Sequence, residues 1–202
     1  KRQYLLCTDG VAEFDLTTQR FKTLLQGNVD AIYFNEKLYI GKREEVFVYN
    51  ESTGNFDLYY HLAGKDITLS CLHLDEKKNL WMGTTSNGLY CLSGDKKISQ
   101  PVTRGNIASI YEDSSKELWI CTWEEGLYRI KTDSTIENFR HDPKNPNSIC
   151  ADFVRSCCED NAGNLWIGTF HGLNRYEKST GKFQLYTANA NKPDGLTHSS
   201  IW

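Results

Sequence analysis

A five-residue phrase recurs along the chain, and this repetition limits the possible folds more than any other feature. Three clear copies lie at Leu80–Thr84, Leu118–Thr122 and Leu165–Thr169, and weaker copies lie at 38–42 and 4–8. The second position of the phrase falls at residues 5, 39, 81, 119 and 166, so successive copies are 34, 42, 38 and 47 residues apart. Periods near ~40 residues are typical of helical-pair repeats and of four-stranded propeller blades.

The residue composition favours strands. The chain contains 11 Tyr, 9 Phe and 5 Trp, and these residues, with Val, Ile and Thr, prefer extended conformations. Turn residues interrupt the sequence about every 8 to 12 positions, which is the spacing of short strands. No stretch shows a sustained apolar stripe of helical period. The sequence therefore predicts an all-β fold.

Alignment of the copies predicts four strands in each repeat. An acid lies six positions before each Trp of the phrase, in a polar turn, and the residues before it form a first strand. The phrase is the second strand, a loop ending in Gly leads to the third, and a Thr-Gly hairpin at 52–56 or 179–183 leads to the fourth, which Phe56 or Phe183 opens. The acids are Asp75, Asp113 and Asp160; the loop glycines are Gly88, Gly126 and Gly172; the first strands are Leu69–Leu74, Ile107–Glu112 and Val154–Glu159.

Four antiparallel strands per repeat form a propeller blade. We predict a β-propeller of about five blades, with residues 1–202 as a single propeller segment. The blade limits are 3–26 closing with 197–202, 29–62, 67–102, 105–140 and 149–187. The Gly of the phrase, at 41, 83 and 168, is expected to leave room for a neighbouring backbone. Cys7 and Cys121 take its place as small apolar residues.

The whole pattern resembles the two-component regulator propeller repeat. The last copy carries most of its signature, in Asp160, 163–169, 172–176 and 179–183, and the Pro-Asn-Ser-Ile linker at 141–149 also matches. The resemblance implies a periplasmic, ligand-sensing part of a hybrid two-component sensor histidine kinase of Bacteroidetes, with the kinase outside this chain. It also implies an oligosaccharide ligand, and a homodimer or a neighbouring propeller or sensor domain of the same parent chain as partner.

Two arrangements fit the end of the chain. Residues 195–201 align with 148–154, the start of another first strand. That strand either pairs with the strand around Leu5 and closes a five-bladed ring, or it belongs to an arc cut from a larger propeller. We favour the arc, because members of the family usually carry many more repeats than five.

Charge and cysteine content exclude several classes. The net charge is −3, with 23 basic and 26 acidic residues and no basic stripe, so nucleic-acid binding is not expected. No apolar run of ~18 residues could cross a membrane, and no signal peptide is seen. The seven cysteines form no regular framework. In the periplasm some of them could be oxidised, and adjacent Cys157 and Cys158 with nearby Cys150 are the first candidates, although Cys157 aligns with Leu72 and Ile110 and fits a buried apolar side chain. No metal or cofactor is expected.

The loops after the phrase hold the candidate ligand-binding residues. They carry aromatic and polar side chains on one face of successive blades, namely Trp123, Glu124, Phe170, His171 and Asn87. Aromatic rings beside polar groups suit sugars, whose apolar faces stack while their hydroxyls form hydrogen bonds. The alternative is that Trp123 and Phe170 fill the space between blades.

No catalytic set is visible, so we do not expect this segment to be an enzyme. No recurrent His pairs with a Cys or Ser, as a nucleophile would require, and the recurrent acids fit turns in which carboxylates accept backbone N–H bonds. Two alternatives to the sensor stay open. One is a structural or dimerisation scaffold, and the other is a propeller polysaccharide lyase or glycosidase with convergent acid and base groups.

Overall fold

The computed structural model describes residues 2–7, 9–63, 66–95, 97–99, 102–188 and 196–201, with the side chain of residue 2 left out. Within these ranges the chain forms five antiparallel sheets, each built from strands that follow one another in sequence. The first sheet has three strands and the other four have four each. No helix in the described ranges is long and apolar enough to cross a membrane.

The strands are numbered in chain order. The first sheet contains β1 (Arg2–Cys7), β2 (Gly10–Asp15) and β3 (Arg20–Gln26), and the second contains β4 (Ala31–Asn35), β5 (Lys37–Lys42), β6 (Glu45–Asn50) and β7 (Asn55–His61). The third contains β8 (Leu69–Leu74), β9 (Leu80–Thr84), β10 (Leu89–Leu92) and β11 (Ile98–Ser99). The fourth contains β12 (Ile107–Glu112), β13 (Leu118–Thr122), β14 (Leu127–Ile130) and β15 (Ile136–Phe139), and the fifth contains β16 (Val154–Glu159), β17 (Leu165–Thr169), β18 (Gly172–Glu177) and β19 (Lys182–Tyr186).

These strands confirm the predicted all-β propeller architecture. In the third, fourth and fifth sheets the first two strands have the bounds that the repeat alignment predicts. The first strand of each of these sheets carries a bulge near its start, where one extra residue interrupts the register with the second strand: Ser70, Ala108 or Arg155.

The sheets stack side by side, because each has two apolar faces that it cannot bury alone. Every pair of neighbouring sheets shares a separate core cluster. The first strands also join across these interfaces: the Ser70 hydroxyl donates to the Ile107 carbonyl at 2.6 Å, and the Ser109 hydroxyl donates to the Arg155 carbonyl at 3.0 Å. The first strands therefore lie next to one another, as around a propeller axis.

The acid and the Trp of each repeat are bonded to each other. The Trp119 indole N–H donates to Asp113 Oδ2 at 2.9 Å, and the equivalent distances are 2.8 Å from Trp81 to Asp75 and 2.7 Å from Trp166 to Asp160. Each carboxylate also accepts backbone N–H bonds in its own turn, as predicted. The bond to the indole is an addition that the sequence reading lacked, and it explains the constant six-residue spacing.

The expectation for the phrase glycines is wrong in one respect. A Cβ added at Gly83 would lie 2.4 Å from the Cys71 sulfur and 2.8 Å from an Ile107 methyl group. The crowding therefore comes from first-strand side chains of the same and the next sheet, not from a neighbouring backbone. Cys121, the substitute for Gly in the fourth sheet, is fully buried, whereas Cys7 is exposed.

Among the described residues the first sheet is not hydrogen-bonded to the fifth, which is consistent with an arc. The Ile201 N–H donates to the Thr169 carbonyl at 3.0 Å, and the Ile201 side chain faces Gly168 as Ile107 faces Gly83. Ile201 thus takes the position of a first-strand residue beside the fifth sheet, as its alignment with Val154 predicts. Among the strands of the described ranges, β1 has only β2 as a neighbour. Residues 8, 195 and 202, which the predicted phrase and closing segment include, lie outside the described residues.

Candidate functional site

The last residue of each phrase orders the loop that follows it. The Thr84, Thr122 and Thr169 hydroxyls donate to the carbonyls of Gly88, Gly126 and Gly172 at 2.7 to 2.8 Å. The same oxygens accept the N–H groups of Asn87, Glu125 and His171. Since each Thr is fully buried, its hydroxyl closes the loop from inside, and the intervening side chains lie on the outside.

The loop also bonds to the segment that leads into the first strand of its own sheet. The N–H of the first loop residue donates to a carbonyl just before that strand: Thr85 to Thr68 at 2.9 Å, Trp123 to Asn106 at 3.1 Å, and Phe170 to Phe153 at 3.2 Å. These repeated bonds fix the loop and the strand entry side by side. Residue 153 therefore belongs to the same surface as the loops.

Four rings form a continuous contact on this surface. Trp123 meets Phe153 edge to face with ring centroids 4.7 Å apart, Phe153 lies 5.6 Å from Phe170, and Phe170 lies 5.7 Å from His171. We call Trp123, Phe153, Phe170 and His171 the aromatic row. It crosses from the fourth sheet to the fifth. Phe170 is 50% exposed, so its ring is available to solvent.

A guanidinium group lies against one end of the aromatic row. The Arg155 Cζ is 4.5 Å from the Trp123 ring centroid and 5.9 Å from the Phe153 centroid. Arg155 is the bulge residue of β16, so the bulge places a cation beside rings from two sheets. The row therefore combines apolar faces with a positive charge.

The structure brings together three of the five candidate residues predicted from the sequence. Trp123, Phe170 and His171 meet in the row, as the register predicted. Glu124 is exposed, and its backbone carbonyl accepts a bond from Arg140 at 3.0 Å. Asn87 lies in the third sheet's loop, where its side-chain oxygen accepts a bond from the Ser86 hydroxyl at 2.9 Å. Neither Glu124 nor Asn87 contributes to the ring contacts.

The sequence reading missed Phe153 and Arg155. Phe153 aligns with Thr68 and Asn106, so an unlike aromatic residue at a polar position was the available signal. For Arg155 the bulge was the obstacle, because the extra residue has no partner in the pairing of β16 with β17, so strand alternation does not predict its side-chain direction. Trp123 is half-buried between the fourth and fifth sheets, whereas Phe170 is half exposed.

An ion pair lies near the row. Arg140 Nη2 is 2.7 Å from Asp152 Oδ2, and Asp152 also accepts the His141 N–H at 2.7 Å. The Asp152 carboxylate raises the pKa of Arg140 above its ordinary value. Because Asp152 directly precedes Phe153, this pair orders the backbone that enters the row.

Clefts in the described part of the chain also lie away from the row. One of about 500 Å³ is lined by residues of the first and second sheets, including Tyr4 and Phe34. Another, of about 350 Å³, lies at the acidic turns of the third and fourth sheets, beside Asp75 and Glu112. Within the described part of the chain, no three His, Cys, Asp or Glu side chains are grouped to hold a metal ion.

Comparison with known proteins identifies the repeat. Residues 148–171 match the family model described as two component regulator propeller. The match covers the end of the linker, the first strand, the acidic turn and the phrase of the fifth sheet, so it confirms the resemblance for that repeat. No curated protein matches the chain.

Solved structures with the same fold include both sensor domains and an enzyme. The extracellular domain of BT4673 from B. thetaiotaomicron, described as a one component system, has 18% identity and a TM-score of 0.69 over 98% of this chain and 35% of its own. The extracellular domain of BT3049 from B. thetaiotaomicron, described as a hybrid two component system, has 21% identity and a TM-score of 0.69 over 98% and 27%. Virginiamycin B lyase from Staphylococcus aureus has 14% identity and a TM-score of 0.70 over 91% and 65%.

These TM-scores show a common fold, which the sensor domains and the lyase share. The chain spans about a third of the BT4673 domain and just under two thirds of the lyase. The propeller of this chain is thus similar to a part of the extracellular domains of B. thetaiotaomicron sensor systems.

Proposed function

For a chain that carries a two component regulator propeller repeat, we propose a role as part of an extracytoplasmic sensor that binds a glycan on the aromatic row. The signal passes to a histidine kinase outside these residues, and the segment itself lies in the periplasm. The observation that carries the proposal is the row together with Arg155. The matching repeat and the fold shared with extracellular sensor domains support the setting.

The row suits a sugar because of its chemistry. The half-exposed Phe170 ring offers an apolar face for a sugar ring. Arg155, His171 and Glu124 provide polar groups for hydroxyls or for a carboxylate of the ligand. Trp123 and Phe153 support the platform from below, since each ring packs against another sheet's side chain.

The signal is transmitted to a partner through the stiffness of the stacked sheets. Four buried clusters hold the five sheets together, so a ligand changes how the propeller meets its partner more easily than it changes the sheets. The partner is a second copy or a neighbouring propeller or sensor domain of the same parent chain. To shift that contact, the ligand binds one arrangement more tightly than the other.

The test is direct binding by calorimetry to neutral, amino-sugar and uronate-containing oligosaccharides. Phe170→Ala and Trp123→Ala are each expected to weaken oligosaccharide binding about tenfold, which corresponds to a loss of ~1.4 kcal/mol of binding free energy. Phe21→Ala is the matched control, since Phe21 is 66% exposed but lies on β3, away from the row. Circular dichroism verifies the fold of each variant.

Three results would contradict the proposal. Equal binding by Phe170→Ala and by the unsubstituted chain would remove the row as the site. Absence of binding to every oligosaccharide, with a concentration-dependent dimer in sedimentation, would favour the scaffold. Release of new reducing ends or unsaturated products would favour the lyase or glycosidase.

A further inference from the structure

Two cysteines from neighbouring sheets meet in the interface below the aromatic row. Cys121 lies in β13 of the fourth sheet and Cys157 lies in β16 of the fifth. Their sulfur atoms are 3.6 Å apart, so the two thiols are in direct contact. Both side chains pack in the cluster that joins these sheets, beside Trp119 and Val154.

The repeat register shows that this pair is particular to one interface. Cys121 stands in the column of Gly41, Gly83 and Gly168, and Cys157 stands in the column of Leu72 and Ile110. In the two preceding interfaces these columns hold a glycine and an aliphatic residue. Only between the fourth and fifth sheets, among the described repeats, do both columns hold cysteine.

We propose that Cys121 and Cys157 form a disulfide bond that joins the fourth and fifth sheets covalently. The biological setting rests on the extracytoplasmic placement in the proposed function, since disulfides persist in oxidising compartments. The two thiols lose two protons and two electrons as the S–S bond forms, and a disulfide oxidant is reduced to two thiols in exchange. The bond lies two residues from Trp123 and four from Phe153, so it fixes the two sheets that carry the aromatic row.

The environment of the two thiols indicates when the disulfide bond forms. The bond from Cys121 and the burial of Cys157 raise the pKa of the Cys157 thiol well above its ordinary value, and Cys121 is fully buried. Because thiolates are the reactive form, the folded reduced chain oxidises slowly. The bond is therefore expected to form during folding, before the interface closes.

The other cysteines have different surroundings. Cys158 follows Cys157 on the same strand and is exposed, since successive side chains of a strand point to opposite faces. The Cys150 sulfur lies 3.1 Å from the Thr169 hydroxyl and 3.0 Å from the Asn174 amide nitrogen. The expected oxidation of Cys157 therefore has Cys121 as its partner, rather than Cys158 or Cys150.

The experiment is oxidative refolding. Reduced, denatured protein is refolded with oxidised and reduced glutathione, denatured again, alkylated and analysed by intact mass and peptide mapping. We expect alkylation of five of the seven cysteines and one cross-linked peptide that joins 121 and 157. Alkylation of all seven, or a cross-link between any other pair, would overturn the proposal.

Variants taken from the protein's own repeats give the control. Cys121→Gly and Cys157→Ile restore the residues found in the same columns of other sheets, and Cys158→Ser removes an exposed thiol. For the unsubstituted chain and Cys158→Ser, oxidation is expected to raise Tm by roughly 5–15 °C. For Cys121→Gly and Cys157→Ile it should leave Tm unchanged, and a redox-dependent shift in either would count against the bond. These readouts involve no ligand, so they stand apart from the binding experiments.

Discussion

The carboxylate of Asp113 holds the fourth and fifth sheets together through a partly buried lysine, Lys178. Its Oδ2 accepts the Trp119 indole N–H at 2.9 Å and lies 2.8 Å from Lys178 Nζ, and its Oδ1 accepts the Glu117 N–H at 3.0 Å. The Asp113 side chain has no exposed surface, and Lys178 also pairs with Glu159. We therefore predict that Asp113→Asn destabilises the protein strongly although the side chain keeps its shape.

The magnitude follows from the bonds that the amide cannot keep. Asparagine retains the oxygen that accepts the turn N–H groups, but its NH2 group replaces the oxygen that faces Trp119 and Lys178. Both bonds go to a charged carboxylate, and such bonds are worth about 1.5–3 kcal/mol each. We expect a loss of about 3 kcal/mol, which for a chain of this size lowers Tm by roughly 6–12 °C.

Asp75→Asn is the matched control. Asp75 occupies the same turn of the third sheet and accepts the same indole bond, from Trp81. The residue that aligns with Lys178 in the fourth sheet is Thr132, which carries no charge. We expect Asp75→Asn to cost about 1.5 kcal/mol, so the difference between the two variants measures the contribution of Lys178.

The pH dependence gives a second signature. Burial by itself would raise the pKa of Asp113, but the bonds from Lys178, Trp119 and Glu117 outweigh it and lower the pKa below 3.8. The pKa of Asp113 is lower in the folded state than in the unfolded state, so the ionised carboxylate stabilises the fold at pH values above the unfolded-state pKa. This contribution is lost as the pH falls through the folded-state pKa. The stability gap between the unsubstituted chain and Asp113→Asn should be complete at neutral pH and should narrow below about pH 4.

The assay is urea unfolding followed by circular dichroism at pH 7 and at pH 3. A double-mutant cycle with Lys178→Met isolates the pair, and a coupling of about 1–3 kcal/mol is expected at pH 7. Equal destabilisation by Asp113→Asn and Asp75→Asn, or a coupling near zero, would refute the reasoning.

Two further predictions concern a glycine and a thiol. Gly88→Ala should destabilise by at least about 2 kcal/mol in the same assay, since Gly88 has φ +79° and an added Cβ would lie 1.7 Å from the Thr103 carbonyl oxygen. Gly94→Ala, whose Cβ meets nothing within 4 Å, should change stability by less than about 0.5 kcal/mol. Burial raises the pKa of Cys71 to about 12, so iodoacetamide at pH 8 should label exposed Cys158 long before Cys71 in a mass-spectrometric time course. Equal labelling rates, or equal effects of the two alanines, would contradict these expectations.

The repeated phrase determined six of the strands of this protein from sequence alone. Its register placed β8, β9, β12, β13, β16 and β17 at their observed limits, because period-2 apolar patterns and turn residues act within one sheet. The same register located Trp123, Phe170 and His171 on one surface. These are local properties, and a local pattern is enough to specify them.

Contacts between sheets were decided by the tertiary structure. The addition of Phe153 and Arg155 to the aromatic row, the Lys178 bridge to Asp113 and the meeting of Cys121 with Cys157 all join residues of different sheets. The repeat period gives each sheet its strands, but it does not give the lateral offset at which two sheets pack or the effect of a bulge on side-chain direction. Those depend on how the apolar faces fit together, which only the folded arrangement defines.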